Sequence, residues 1–162
     1  MDKKRERARV LKKRNVLSSA KYTELNRALC GFVSDFLNSA EVKTISAFLP
    51  IGSEPNISEV LKKWLSADSD RRVFLPVTED KTMRFAFWDP TKPLKLGRFG
   101  VPEPTSNLFF DPPLLLVPCV ALNKEGEPAR LRSRLLRPLP LGLCGEAVYR
   151  RYLLLRILWF RL

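Results

Sequence analysis

Histidine is absent from all 162 residues. Within this chain that excludes Ser–His and Cys–His nucleophile pairs, a histidine general base and the common zinc sites. Cysteine is scarce: Cys30, Cys119 and Cys144 form an odd set with no CxxC pair. They read as small buried hydrophobes of a reduced, cytoplasmic protein, with a reactive thiol as the alternative. No signal peptide opens the chain, because its first fourteen residues are charged and never become an apolar run. A long hydrophobic run is also missing. The final stretch, Tyr152 to Leu162, is apolar but too short to span a bilayer and contains Arg156.

Acidic residues are unevenly distributed. Residues 1–14 carry eight basic side chains against Asp2 and Glu6, a local charge of +6, and residues 128–162 carry eight arginines against Glu146 alone, a charge of +7. The stretch between them comes to −1, so the overall +12 belongs to the two ends and not to the body. A nucleic-acid binder usually spreads its charge over a folded surface, so the basic balance is weak evidence for such a partner. At 45% hydrophobic and 28% charged, the chain can bury the core of one ordinary domain.

The pattern along the chain predicts a basic helix over the first fourteen residues, free of Gly and Pro. A second helix starts at an N-cap, Ser18 or Ser19, with Leu25, Leu29, Phe32, Val33 and Phe36 sharing its apolar face. Thr44 to Leu49 reads as a strand. Asn56 to Glu59 reads as a capping box, opening a third helix whose stripe is Val60, Leu61, Trp64 and Leu65. Strands follow at Arg72 to Val77 and Met83 to Trp88, joined by a turn at Glu79-Asp80-Lys81. A Pro-rich passage from Pro90 to Pro113 holds little regular structure, and Leu114 to Val117 reads as a strand buried on both faces. This order argues for an α/β fold, a layered domain with a mostly parallel sheet flanked by helices.

Three features carry possible chemistry. Lys3, Lys4, Arg5, Glu6 and Arg7, with Arg14 two turns further on, are dense enough in basic groups to hold a polyphosphate, or else form a solvated basic terminus. Phe48 to Pro55 lies where a strand gives way to a helix, the usual ligand edge of an open α/β sheet. Its Glu54 either accepts hydrogen bonds from an N–H-rich ring or complements a helix dipole. The third feature, Phe99 to Pro104, is a stiff turn carrying Glu103, which faces either a site or solvent.

In order, these pieces resemble the 5-formyltetrahydrofolate cyclo-ligase family, also called 5,10-methenyltetrahydrofolate synthetases. Lys3 and Arg7 fit its K-x-x-x-R helix, and Arg14 to Ser18 its R-x-x-L-S segment. Phe48, Pro50 and Glu54 fit a strand-end Y/F-x-P-x-x-x-E element, Leu75-Pro76 an L-P strand end, and Met83 with Phe85 an M-x-F strand. Gly100, Glu103 and Pro104 fit G-x-x-E-P, and Val117-Pro118 a V-P strand end followed by a short loop to Gly126. The resemblance covers residues 3–127. It implies that Lys3, Lys4, Arg5, Glu6 and Arg7 bind ATP and that Leu49 and Glu54 bind 5-formyltetrahydrofolate, with Mg2+ accompanying ATP. It also implies a monomer with no nucleic-acid or membrane partner.

After Gly126 the family continues x-R-L-G-x-G-x-G-Y-Y-D-R, a phosphate-cradling loop and a metal-binding aspartate. This chain instead turns into Leu, Arg and Pro, with no lysine after Lys124 and no aspartate after Asp111. Residues 127–140 can be back-translated, with freely chosen codons, so that deleting one C after the Glu127 codon yields E-R-L-G-Y-G-A-G-Y-Y-D-R-Y. Residues 1–127 therefore read as a truncated cyclo-ligase-like domain and 128–162 as an aberrant, out-of-frame tail, from mutation or sequencing error. The rival is a real alternative tail packing as an amphipathic, or basic interfacial, helix. On the out-of-frame reading the family's metal ligand is lost and activity is impaired. Two alternatives to the enzyme stay open, a basic nucleic-acid- or anionic-surface-binding protein and an inactive nucleotide- or folate-binding relic.

Overall fold

The computed structural model describes residues 3–79, 82–97, 100–118, 120 and 152–155, leaving aside the side chains of residues 3, 4, 6 and 152–155. Expectations for Asp80 and Lys81, Phe99, Cys119, Gly126, Cys144 and the tail at 128–151 and 156–162 lie outside the described residues.

The strong helix formers of the basic terminus give α1, Lys3–Asn15, whose last turn places Lys12, Lys13 and Arg14 against the negative end of the helix dipole. Helix α2, Ser19–Ser39, begins at Ser18, whose hydroxyl accepts from the Lys21 N–H at 3.2 Å and relieves one orphan donor. Its buried residues are Leu29, Val33 and Leu37, with Phe36 packed beside them. Phe32 departs from the predicted stripe and is 47% exposed. At about 100° per residue, it sits roughly 90° from the middle of the face that holds residues 29, 33, 36 and 37.

Strand β1 is short, Thr44–Ser46, and is followed by α3, Ser58–Ser66. The capping box expected at its start does not form. Asn56 Oδ1 accepts from the Ser58 N–H at 3.0 Å, while Glu59 is exposed and paired with Lys62 at 2.8 Å. The nearby lysine competes for the carboxylate that would otherwise reach back to the cap. Strands β2, Arg72–Glu79, and β3, Thr82–Phe87, form an antiparallel pair.

The Pro-rich passage holds two short strands, β4 at Lys95–Leu96 and β5 at Pro102–Glu103, which pair antiparallel. β6, Leu114–Pro118, has Leu114, Leu115 and Leu116 all buried, as an uninterrupted apolar run predicts. β7, Tyr152–Leu155, lies parallel to it, so these four residues are strand and not the helix of the rival reading.

The main sheet has the order β3-β2-β1-β6-β7, parallel throughout except for β3 at one edge. This is the layered α/β architecture with a mostly parallel sheet. Because side chains alternate across a strand, Ile45, Val73, Leu75, Leu114 and Leu116 face α2 and α3 and form the main core with Leu29, Leu61 and Trp64. Each such side chain contributes about 1.5–3 kcal/mol on full burial. The Trp64 indole N–H, which could not be buried unpaired, donates to the Leu37 carbonyl at 3.2 Å. Among the described residues, no helix is long and apolar enough to cross a membrane.

Candidate functional site

The chain leaves β1 for α3 and β2 on one side, while β6 joins from the other. β1 and β6 therefore flank a topological switch point, and ligands of open α/β sheets bind outside the carboxyl ends of strands at such points. A cleft of about 260 Å³ lies there, lined by the ends of β1, β2 and β6, by β5, and by the loop after β1. Its walls are mostly apolar, including Leu49, Met83, Phe85 and Val117. Ser46, Thr78, Glu54 and Glu103 bring the polar atoms.

Local geometry explains how Glu54 is held. Gly52 adopts φ +58°, a conformation that disfavours a side chain, and lets the chain turn sharply after Pro50. The Glu54 N–H donates to the Ile51 carbonyl at 3.2 Å, and Glu54 Oε2 accepts from the Ile51 N–H at 3.1 Å. Tyr22 on α2 donates its hydroxyl to the Glu54 carbonyl at 2.9 Å, and Asn26 and Asn56 exchange hydrogen bonds at 3.0 and 2.8 Å. The loop is thus fastened to α2. Oε2 braces the turn, leaving Oε1 as the carboxylate oxygen for a ligand. Burial pushes the Tyr22 phenol up, keeping it protonated and donating.

Glu103 is 5% exposed. β2 runs beyond the end of β1, where its Thr78 N–H has no β1 partner, and Glu103 Oε1 accepts from it at 3.0 Å. Gly97 makes room for this carboxylate, since a Cβ there would stand 2.2 Å from Glu103 Cδ. Sequence reasoning left Glu103 undecided between site and solvent, because its partner is 25 residues away.

The other candidates lie on α1. Arg5 and Arg7 are exposed, and Lys3, Lys4 and Glu6 occupy the same first turns of the helix. Neither Arg5 nor Arg7, the two of the five whose side chains are described, lines the cleft. The far end of α1 is fixed to the site, because Arg14 Nε donates to Ser53 Oγ at 2.9 Å and the same hydroxyl donates to Asn15 Oδ1 at 2.6 Å. Arg14 is 8% exposed; its burial pushes the guanidinium down, Glu54 counters this, and Arg7 adds to it. The structure therefore brings Leu49 and Glu54 into one cleft and places residues 3–7 up the helix. Arg7 lies roughly 10 Å from Arg14 along the axis at about 1.5 Å per residue.

Cys30 is half-buried, not sealed, and its thiol donates to the Asn56 carbonyl at 3.3 Å. Burial raises its pKa, which disfavours the reactive thiolate. Among the described residues no group of three or more Cys, Asp or Glu side chains could hold a metal. Each carboxylate of the cleft has one oxygen engaged by a backbone N–H, and among the described residues the two form no ready-made Mg2+ cage.

The family model of 5-formyltetrahydrofolate cyclo-ligase matches residues 1–131. The chain belongs to that family. Among solved structures, its fold is similar to that of the 5,10-methenyltetrahydrofolate synthetase of Aquifex aeolicus, with 23% identity and a TM-score of 0.67 over 81% of this chain and 68% of that one. It is also similar to the 5,10-methenyltetrahydrofolate synthetase of Mycoplasma pneumoniae, with 21% identity and a TM-score of 0.68 over 90% of this chain and 81% of that one. No curated protein matches it in sequence. The cyclo-ligase match contains every candidate site residue, Lys3 to Arg7 as well as Leu49 and Glu54.

Proposed function

We propose that this polypeptide derives from an ATP-dependent enzyme that cyclises 5-formyltetrahydrofolate to 5,10-methenyltetrahydrofolate, and that its own turnover is impaired. The observation that carries the reading is the coincidence of the cyclo-ligase family match with a strand-end cleft lined by Leu49 and Glu54. In this scheme the folate ring enters the cleft against Leu49, and Glu54 accepts from its N–H groups. Lys3, Lys4, Arg5 and Arg7 neutralise the ATP phosphates, with Glu6 in the same helical turn. Mg2+ arrives with the nucleotide as part of the substrate.

The formyl oxygen attacks the γ-phosphorus, forming a C–O–P bond while the bond to ADP breaks. The neighbouring secondary amine of the folate then attacks the activated carbon, and phosphate and a proton leave as the ring closes. Such chemistry asks for charge neutralisation and positioning more than for a general base, which suits a chain without histidine.

The impairment follows from the loss of the Gly-rich phosphate loop. Backbone N–H groups must approach phosphate closely, and arginine or leucine side chains in place of glycines obstruct this. The end of the family match at residue 131, close to Glu127, supports the out-of-frame reading of the tail. The enzyme so reconstructed is a cytoplasmic monomer with folate and ATP as its partners.

The test is ATP-dependent formation of the methenyl product by two chains, the one given and one from DNA with a single C removed after codon 127. Turnover only by the repaired chain is expected. Normal turnover by the chain as it stands would refute impairment, and none by either would refute the activity. Folate binding without turnover by both would mark the relic.

A further inference from the structure

Two properties meet in Arg14. It is 8% exposed, and its guanidinium makes one side-chain hydrogen bond among the described residues, from Nε to Ser53 Oγ. No carboxylate there stands within ion-pair distance of it. Glu54 acts on it through its field alone, with Oε2 committed to the Ile51 N–H. Nη1 and Nη2 carry four N–H donors with no partner among the described residues, yet neither atom is sealed from solvent. Withdrawing a charge from water without a counter-charge costs several kcal/mol. A guanidinium aligned at one edge by a fixed hydroxyl, with its paired donors open, matches the fork that binds phosphate or carboxylate oxygens.

We infer that Arg14, oriented by Ser53, holds an oxyanion of the incoming ligands between α1 and the loop that carries Glu54. Arg7 lies seven residues away on the same face of α1, so two cations line up along one side of the helix. That arrangement favours a polyphosphate over a single carboxylate. The glutamyl carboxylate of a folate is the other source of the same chemistry. The inference adds to the proposed function a second phosphate contact, next to the folate loop and apart from residues 3–7.

The full chain and its Arg14→Met variant are compared by calorimetric titration with tripolyphosphate and with 5-formyltetrahydrofolate bearing one or several glutamates, and by melting without ligand. Charge-assisted hydrogen bonds of this kind imply a loss of tripolyphosphate affinity of about ten- to hundredfold, with the unliganded melting temperature unchanged or raised. A loss confined to folate carrying a glutamate tail assigns the oxyanion to the carboxylate. A lower melting temperature with every affinity retained overturns the inference and makes Arg14 a tether for Ser53.

Should the Met variant fail to fold, Arg14→Lys and Ser53→Ala take its place. The first keeps the charge without the fork and the second keeps the fork without its alignment. Both are expected to weaken tripolyphosphate binding by at least threefold, and wild-type affinity in both overturns the inference. Tripolyphosphate binding that depends on Arg14, without any folate binding, would leave the inference standing and count against the folate assignment of the cleft. No tripolyphosphate or folate binding by the parent chain refutes the inference.

Discussion

On one face of the sheet, Ile45, Val73 and Leu114 meet the apolar stripes of α2 and α3 and are closed in. On the other, Phe74, Leu115 and Phe85 form a smaller cluster that, among the described residues, holds no helix residue and opens into the cleft. Neighbouring residues of the same strands supply both, since consecutive side chains point opposite ways. The first face can be optimised for packing alone. The second must leave room for a ligand, and it admits Ser46, Thr78, Glu54 and Glu103.

The largest effect that separates the faces is expected from truncation. Ile45→Ala leaves a cavity in a sealed core and should cost about 2–5 kcal/mol, toward the upper end. Leu115→Ala opens a void continuous with the cleft, which solvent can fill, and should cost about 2 kcal/mol. Urea unfolding of the two variants checks the difference, and equal costs would mean that the second face is as closed as the first. Glu54→Gln comes next. It should lower folate affinity about tenfold, as expected for a lost hydrogen bond to a charged group, with little change in melting temperature.

Phe32→Ser tests the edge of the helix stripe. At 47% exposure it should change stability by no more than about 0.5 kcal/mol, whereas Leu37→Ala should cost about 2–5 kcal/mol. The smallest effect is electrostatic and far from either face. Hydrogen bonds from Lys43 and from the Asp70 N–H hold the Asp68 carboxyl below the usual carboxylate range. A carboxyl whose folded pKa is depressed adds stability above its unfolded pKa of about 3.9 and loses it as pH falls through the folded value. Melting temperatures between pH 5 and 2 should therefore fall less steeply for Asp68→Asn than for the parent.

Much of this architecture was legible because it is local. The period of three to four residues placed α2 and α3, the Ser18 cap formed, and the apolar run at Leu114 to Val117 became a parallel strand with its first three residues buried and Val117 partly so. Leu49 and Glu54 were legible as a strand-end element and do share one cleft. What escaped was non-local or competitive. The Glu103–Thr78 and Arg14–Ser53 bonds span 25 and 39 residues, and nothing in either neighbourhood marks the partner. Glu59 satisfied the capping pattern but had Lys62 one turn away. Strands β4 and β5 are two residues each, too short for alternation to register in a Pro-rich passage.

The position of β1 at the centre of the sheet has a consequence for biosynthesis. Three residues long, it pairs on one side with β2 and on the other with β6, whose Leu114 follows Ile45 by about seventy residues. At about 5–20 residues per second, a ribosome takes roughly 3–14 s to supply that second neighbour. Through that interval the nascent chain carries a bare strand edge, so early chaperone capture should fall on the segment around Ile45 and fade once β6 has emerged.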